Sequence, residues 1–336
     1  MSQAAKDRRP LQAGRRAAMG IAVTLTAWGA AALALPAHAQ NAIAYYRFEE
    51  GAPGARVPVT ADAAAPAGSP VLDSSGNGNN MKTFADFSRP TYSSNVPTAT
   101  VPQTGALNQR SLLFVPNQDV YSQNAVGGGP NGGTLNDHAF PSFTIEASVN
   151  FNSLDGFQTF VGRDRPGQTL GFFYLRKWGG NDPNLNSLNA TVVADNGTTF
   201  DLFSTGTGAN DTFDKVSAGM WYNVVAQSNG SMFSLFVQNN LTKVYELQGS
   251  IPISTALSNT GATNFTIGRG WFNGPTDFVN GSVDEVRISD RALAPSQFLF
   301  APQAVIPEPS TLLLVLTAGG AITGAARLRR RVAPFV

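Results

Sequence analysis

The amino-acid sequence predicts an all-β sandwich, and three observations support that prediction. The stretch FTIEASVNF, from Phe143 to Phe151, alternates apolar and polar residues with a period of two, which is typical of a β-strand with one buried face. Similar short runs, bounded by Gly, Asn, Asp and Ser, recur through the middle of the chain. Helical periodicity is nearly absent outside the two ends. Because one sheet alone leaves its apolar face in water, a second sheet must cover it.

The composition allows a large core and excludes several kinds of site. The chain has 336 residues, of which 42% are hydrophobic and 13% charged, with 34 glycines, 21 prolines and no cysteine. A chain of this length can bury a full hydrophobic core. Because it has no thiol, it contains no disulfide framework, no cysteine–zinc site and no cysteine nucleophile.

The formal net charge of +1 conceals an acidic body. Between Gln40 and Ile306 there are 14 lysines and arginines against 20 aspartates and glutamates. An acidic surface without a basic stripe repels phosphate backbones and anionic lipids. We therefore expect no nucleic-acid partner.

Residues 1–39 have the three parts of a secretory signal peptide. Met1–Arg16 is basic, Ala17–Leu35 is apolar, and Pro36–Ala39 ends in the Ala-His-Ala pattern of a cleavage site. We therefore predict export, with cleavage after Ala39.

The C-terminal segment, residues 303–336, combines a short motif, an apolar run and a basic tail. Pro307, Glu308 and Pro309 precede an apolar run from Thr311 to Ala326, and an arginine cluster at 327–331 follows it. The run is only just long enough to form a transmembrane helix. The arginines would place the extreme C-terminus in the cytoplasm and the body outside.

This order of motif, apolar helix and arginines resembles the PEP-CTERM sorting signal of Gram-negative bacteria. The resemblance implies that the chain is anchored transiently in the inner membrane, where an exosortase-type protease recognises and removes the tail. The protein would then reach the cell surface or the extracellular matrix. On the residues alone, a permanent C-terminal anchor is the alternative.

The first half of the body contains two further predicted strands. AIAYYRFEEG, from Ala42 to Gly51, is the first, and SLLFV, from Ser111 to Val115, comes before the long central strand. VLDSSGNGNN, from Val71 to Asn80, is a polar loop between them, because Gly, Asn, Asp and Ser favour turns.

Two hairpins and two final strands follow. Asn196-Gly197 and Asn229-Gly230 each separate two alternating runs, and Asn-Gly suits the left-handed angles of a type I′ turn. The last strands are NFTIGRG (residues 264–270) and GSVDEVRIS (residues 281–289). In the latter, Val283 is out of step with the later apolar residues, which predicts a β-bulge near Asp284-Glu285.

Taken together, these segments resemble the laminin G-like, concanavalin A-like jelly roll. The segments that match, in order, are YYRFEEG, VLDSSGNGN, FTIEASVNF, MWYNVVAQSNGSMFSLFVQ, TIGRG and GSVDEVRISDRAL. They cover roughly residues 41–300, within a domain that we place at 40–302. The resemblance implies a jelly-roll sandwich but not its chemistry, because this fold occurs in lectins, adhesion modules, carbohydrate-binding modules and glycosidases alike.

Catalytic residues do not form a recognisable pattern. A glycosidase needs two carboxyl groups about 5–9.5 Å apart, and no E-x-D-x-E run places such a pair on one strand face. Asp284 and Glu285 would point to opposite faces of a regular strand, and Glu146 stands alone on a polar face. We interpret these as surface or turn carboxylates. The body also has a single histidine, His138, in a loop, so we predict that the protein is not an enzyme.

We predict a structural Ca²⁺ ion as the cofactor, because hard oxygen donors suit it. The candidate ligands are Glu49, Asp73, Asn77, Asn79 and Asp284, on segments that are neighbours in laminin G-like domains. In the alternative, Asp73 and the Asn-Gly residues form an Asx-turn and bind no metal.

Two tryptophans are candidate ligand-binding residues. Trp178 in RKWGGNDPN and Trp271 in RGWFNGP lie in Gly/Asn loops, where sugar rings could stack on the indoles while amides bind their hydroxyls. Alternatively, both rings fold back over the edge of the core. Trp221 lies in a hairpin strand, and we expect it to fill the core.

These observations predict an exported, non-enzymatic protein that binds an extracellular polysaccharide or a surface glycan. The first alternative is a structural biofilm or coat protein without a defined ligand. A glycan-cleaving enzyme is the second.

Overall fold

The computed structural model describes residues 42–58, 71–83, 88–122, 135–204, 215–260 and 264–303. They form two antiparallel sheets packed as a sandwich, which confirms the predicted all-β class. The predicted signal peptide and the sorting segment, including Pro307, Glu308 and Pro309, lie outside the described residues. Within these ranges, no helix has the length and apolar character needed to cross a membrane.

The strands are numbered in chain order. Their bounds are β1 Ala44–Tyr46, β2 Met81–Lys82, β3 Thr91–Ser93, β4 Ser111–Phe114, β5 Val120–Ser122, β6 Phe143–Phe151, β7 Gln158–Arg163, β8 Phe173–Lys177, β9 Leu188–Val193, β10 Thr199–Phe203, β11 Trp221–Ser228, β12 Met232–Gln238, β13 Tyr245–Pro252, β14 Phe265–Ile267, β15 Gly270–Trp271, β16 Pro275–Thr276 and β17 Gly281–Ser289. A 3₁₀ turn at Pro295–Gln297 follows the last strand.

The two sheets differ in the strands they contain. The eight-stranded sheet has the order β13-β12-β11-β6-β17-β4-β3, and β1 also pairs with β17. The seven-stranded sheet has the order β10-β9-β8-β7-β14-β5-β2, and β15 and β16 form a separate small hairpin. The predicted central strand β6 therefore lies between β11 and β17 in the middle of the larger sheet.

Strand β6 is buried on both faces, although its alternation predicted one buried face. Its apolar residues belong to the main core between the sheets. Its polar residues are buried as well. A second, smaller core covers this outer side of the eight-stranded sheet, where Phe298, Leu299 and Phe300 pack with Tyr45 and Val101. The chain beyond β17 thus returns over the sheet, which alternation within β6 could not reveal.

The hairpin turns form at the predicted positions but not with the predicted geometry. Gly197 and Gly230 have φ of 86° and 90°, whereas Asn196 and Asn229 do not have the positive φ that a type I′ turn requires. Each asparagine instead accepts backbone N–H groups through Oδ1, including that of Met232 at 2.8 Å from Asn229. The asparagine side chain accepts the hydrogen bonds of the turn's backbone N–H groups, so the asparagine backbone need not adopt left-handed angles.

Candidate functional site

Along the outer side of the seven-stranded sheet lies a row of polar and aromatic side chains, most of them buried. Alternate residues of β8 belong to the main core, so Tyr174 and Arg176 face outward. The strand register places Thr191 and Asn189 of β9 beside them, and Asp201 of β10 beside Thr191. We call these five residues the outer row.

Arg176 is the centre of this row, because aromatic rings surround its guanidinium group. The guanidinium carbon lies 4.5 Å from the ring centroid of Tyr174, 4.7 Å from that of Trp178 and 5.2 Å from that of Phe157. Arg176 Nε also donates to Asn189 Oδ1 at 2.8 Å. Burial lowers the pKa of Arg176. Stacked on rings and tied to an amide, this side chain is held in one position.

The β15–β16 hairpin and the segment after it lie against one side of the row. The Tyr174 hydroxyl donates to the Trp271 carbonyl, and Thr159 N donates to Asp277 O at 2.8 Å. Asp277 Oδ2 lies 3.8 Å from Arg176 Nη1. Burial raises the pKa of Asp277, and the charge of Arg176 partly opposes that shift. Asp277 and Asp201 therefore lie on either side of the arginine.

Trp178 is held by its neighbours at the end of β8. The rings of Phe157 and Phe203 meet it edge to face, with centroid distances of 4.8 and 5.0 Å. Its indole N–H donates to Asp182 Oδ2 at 2.9 Å. The ring is half-buried, so part of it remains on the surface.

The loop under Trp178 is fixed by a buried lysine and by a glycine. Lys177 Nζ donates to Gly156 O at 2.6 Å, to Leu154 O at 2.8 Å and to Asn186 Oδ1 at 3.1 Å. Burial lowers the pKa of Lys177 to about 8. A Cβ at Gly179 would lie 2.0 Å from the backbone of Gly156, so the close approach of these two loops requires glycine. The backbone at Trp178 is therefore fixed as well as its ring.

The two predicted ligand tryptophans lie at opposite ends of β8. Trp178 directly follows the strand, whereas the Trp271 carbonyl accepts Gly171 N at 3.3 Å near its beginning. At a rise of about 3.3 Å per residue, the two positions are about 20 Å apart. The Trp271 indole N–H donates to Gln168 O at 2.9 Å, and its ring is also half-buried. The two tryptophans thus flank the outer row, and their ligand role stays a prediction.

The residues of the outer row were missed from the sequence. The available signal was the alternation in FYLRK and LNATVV, which puts a polar residue at every second position. It could not be used, because the register between β8 and β9 decides which polar side chains become neighbours.

The predicted calcium ligands fall into separate settings. Asp73 accepts the backbone N–H groups of Tyr45 and Ser75 at 2.9 Å, and that of Asn79 at 3.0 Å. Asn77 and Asn79 donate to the Ile43 carbonyl at 3.1 and 2.7 Å. These residues form the polar turn that was the alternative to a metal site.

Glu49 and Asp284 have other partners. Glu49 Oε1 accepts Gln109 N at 2.7 Å, and Asp284 Oδ2 accepts Asn108 Nδ2 at 2.8 Å. Across the described ranges, no group of three or more His, Cys, Asp or Glu side chains could hold a metal ion. Calcium binding stays a prediction.

The interpretation of three carboxylates was wrong. Glu146, Asp284 and Glu285 are not surface or turn carboxylates, because all three are buried. The predicted bulge is confirmed: the register with β6 shifts after Asp284, and Glu285 has φ of 48°. Because of it, Asp284 and Glu285 do not face opposite sides; Asp284 pairs with Ser148 and Glu285 contacts Tyr45, both on the outer side.

Trp221 does not fill the core. It lies on the outer face of β11 beside Asn150, where it is half-buried, and its indole N–H donates to Asn95 Oδ1 at 3.1 Å. The inward position in this strand belongs to Tyr222. The side that a hairpin residue faces depends on register, and a shift by one residue inverts it.

Comparison with known families finds one match. Residues 127–297, just over half of the chain, match the family described as Laminin_G_3, the concanavalin A-like lectin/glucanases superfamily. No curated protein matches the sequence.

Several solved structures are similar in fold. The botulinum neurotoxin serotype G binding domain is 12% identical with a TM-score of 0.46, covering 77% of this chain and 50% of that chain. Domain 4 of AbnA, an extracellular arabinanase from Geobacillus stearothermophilus in complex with arabinotriose, is 14% identical with a TM-score of 0.46, covering 78% and 98%. The Ruminococcus gnavus IT-sialidase CBM40 bound to sialyllactose is 14% identical with a TM-score of 0.38, covering 52% and 88%. The chain spans about half the length of the toxin binding domains.

Proposed function

Because the chain belongs to the concanavalin A-like lectin/glucanases superfamily, we propose that it is an exported surface protein that binds an extracellular polysaccharide without cleaving it. The observation that supports this proposal is the outer row, in which Arg176, Asn189 and Asp201 lie between Trp178 and Trp271. Family membership alone is not sufficient, because one fold supports many functions.

The row has the two kinds of group that a sugar chain requires. The exposed part of the Trp178 ring can pack against the apolar CH face of a sugar ring, and the partly exposed carboxylates of Asp201 and Asp277 can bind its hydroxyl groups. Arg176 and Asn189 are buried and fixed by each other, so they support this surface and do not themselves contact a ligand. The partly exposed Trp178 and Asp201 are thereby held in place and lose little conformational entropy on binding. A surface about 20 Å long accommodates several sugar rings. We therefore infer an oligosaccharide or polysaccharide ligand.

The charge of the body favours a neutral glycan at this surface. Residues 40–306 contain 14 basic and 20 acidic side chains, and Asp201 and Asp277 lie within or beside the outer row. A polyanion would meet repulsion, whereas stacking on Trp178 depends little on charge. An acidic glycan would then bind only through a Ca²⁺ ion.

We expect Trp178→Ala and Trp271→Ala each to weaken polysaccharide binding by about 1–3 kcal/mol, because each removes an aromatic anchor. Affinity electrophoresis of the purified protein in gels containing neutral or acidic polysaccharides measures the change. Leu247→Ala is the control, since this exposed apolar side chain lies on the other sheet. The same gels with chelator or with millimolar calcium test whether the ion contributes.

Unaltered mobility of the wild-type protein in every polysaccharide would contradict glycan binding and favour a structural coat protein. Equal retardation of wild type and both variants, with unchanged melting temperatures, would show that glycan binds elsewhere.

A glycan-cleaving enzyme is the other candidate, and one observation favours it. Asp201 and Asp277 flank Arg176, and burial raises the pKa of Asp277, as a general acid requires. Release of reducing ends by the wild type, abolished by Asp277→Asn and by Asp201→Asn, would establish that function. Glu146 and Glu285 are unsuitable for this test, because both are buried under the smaller core that covers the eight-stranded sheet.

We also propose that an exosortase-type protease of a Gram-negative bacterium removes the C-terminal tail. Support comes from the order of Pro307-Glu308-Pro309, apolar run and arginines. We expect surface-released protein from the native host to lack the residues after the motif and those before Gln40, and intact mass spectrometry measures both losses. Released protein that still ends at Val336 would overturn the sorting proposal without affecting glycan binding.

A further inference from the structure

A pocket lies on the outer face of the eight-stranded sheet, on the opposite side of the sandwich from the outer row. It encloses about 180 Å³ between the loop at Pro97 and the hairpin that joins β12 to β13. Met220, Trp221 and Lys243 line it, and the buried Asn223 and Gln238 form its floor. The function proposed above does not use this pocket.

The floor consists of two buried amides that fix each other. Asn223 and Gln238 are 7% and 3% exposed. Asn223 Oδ1 accepts the Ser148 hydroxyl, and Asn223 Nδ2 donates to Gln238 Oε1 at 2.7 Å. An amide NH₂ has two hydrogens, and the second hydrogen of Asn223 has no protein partner in the part of the chain that the structure describes. The floor therefore retains a rigidly placed donor.

Lys243 brings a positive charge to the pocket. Gln238 Nε2 donates to the Lys243 carbonyl at 2.8 Å, and Asn239 holds the hairpin by accepting Leu241 N at 2.9 Å. Lys243 has φ of 60°, a conformation that non-glycine residues rarely adopt. Its side chain is exposed, and among the described residues it forms no salt bridge with an acidic group. The charge is thus available to a ligand.

Trp221 gives the pocket an aromatic lining. The Trp221 indole is half-buried and anchored through its N–H to Asn95, so its ring has a defined position. A volume of about 180 Å³ is smaller than the roughly 300–1,000 Å³ of sites for larger ligands. The pocket is therefore too small for a chain of sugar rings.

From this geometry we propose that the Trp221 pocket binds a single sugar ring that carries a carboxylate, such as the terminal uronic acid of a glycan. The ring would pack on Trp221, a hydroxyl would accept the free Asn223 N–H, and the carboxylate would pair with Lys243. The acidic body does not prevent this, because repulsion from distant charges is screened beyond about 8–10 Å at physiological ionic strength. With a glycan surface on each sheet, one molecule could bind two chains at once.

Titration of the full-length, ¹⁵N-labelled protein with methyl glucuronide and with methyl glucoside tests the proposal. The indole N–H signal of Trp221 is the direct readout, assigned as the signal that Trp221→Phe lacks. We expect it to shift with the glucuronide, and we expect the glucoside to bind at least about tenfold more weakly, as for loss of one charge-assisted hydrogen bond. Lys243→Gln should remove this preference, whereas Lys82→Gln, on the other sheet, should retain it.

Two results would overturn the proposal. One is equal affinity for the charged and the neutral sugar. The other is glucuronide binding that persists unchanged in both Trp221→Ala and Lys243→Gln, provided that melting temperatures show both variants folded. Trp178→Ala separates this pocket from the outer row: it should leave glucuronide binding intact, and loss of binding in that variant would place the uronic acid at the row instead.

Discussion

Replacing Arg287 with methionine should lower the free energy of unfolding by about 3–5 kcal/mol, because it leaves Glu146 as a buried charge without its ion-pair partner. Glu146 is 2% exposed and accepts Arg287 Nε, and it also accepts Leu299 N at 2.7 Å. Burial raises the pKa of Glu146, and the charge of Arg287 opposes that shift. Urea unfolding followed by tryptophan fluorescence measures the loss.

The double variant Glu146→Met, Arg287→Met is the informative companion. It removes both charges, and apolar replacements of similar volume can be neutral or stabilising, so it should recover most of the loss. Arg56→Met, at an exposed arginine, is the control and should change stability little. A loss below about 1 kcal/mol in Arg287→Met would contradict the assignment of this pair as a buried, mutually dependent unit.

Glu285→Gln should make the protein more stable at pH 8 and reduce the pH dependence of its stability. Glu285 is buried in the β17 bulge, where it accepts the Tyr45 hydroxyl and lies 3.2 Å from Arg47 Nε. Burial raises its pKa to about 7, Arg47 and Tyr45 partly oppose the shift, and Glu49 adds to it. Burial and the charge of Glu285 likewise raise the pKa of the adjacent Asp284.

The sign of the effect follows from proton uptake. The carboxyl group of Glu285 has a pKa of about 7 when folded, against an ordinary value of 4.5, so the folded state retains a proton that the unfolded state has lost. The stability from this group is fully present below pH 4.5 and is lost as the pH rises through 7. The loss is about 3 kcal/mol, at 1.36 kcal/mol for each pKa unit.

Urea unfolding of wild type and Glu285→Gln at several pH values between 4 and 8.5 checks this prediction. Other buried carboxyl groups also titrate, so the difference between the two proteins is the relevant quantity. Asp290→Asn, an exposed carboxylate just beyond β17, should leave the profile unchanged. A difference between wild type and Glu285→Gln that stays constant across this range would show that Glu285 does not carry the predicted shift.

Much of the architecture could be read from local pattern. Alternation identified β6, Asn-Gly dipeptides located the hairpin turns, and one misplaced valine, Val283, located the bulge in β17. Each of these features depends only on residues that are close together in the chain. Alternation in particular recurs in every strand that buries one face. The cover over the outer side of β6 could not be anticipated, because Phe298 and Tyr45 are far apart in sequence and meet only in the folded chain.

Part of the candidate site could likewise be predicted from the sequence, and part depended on the folded structure. Trp178 and Trp271 stood out from the sequence because each lies among glycines and asparagines, outside the alternating runs that predict strands, although Trp271 belongs to β15 in the structure. Arg176 did not stand out, since its stack with Tyr174 and Trp178 and its bond to Asn189 depend on the β8–β9 register. Turns and strands are specified by a few neighbouring residues, whereas the register between strands depends on the packing of the whole core.

By itself, the sequence determined the all-β class, the position of the turns and the bulge, and the acidic character of the body. Only the tertiary structure decided which side each polar residue faces and what it contacts. It buried Glu146 and Glu285, turned Trp221 outward and assembled the outer row. The physical reason is that a strand residue has two possible sides, and only the packing of both sheets and of the returning chain chooses between them.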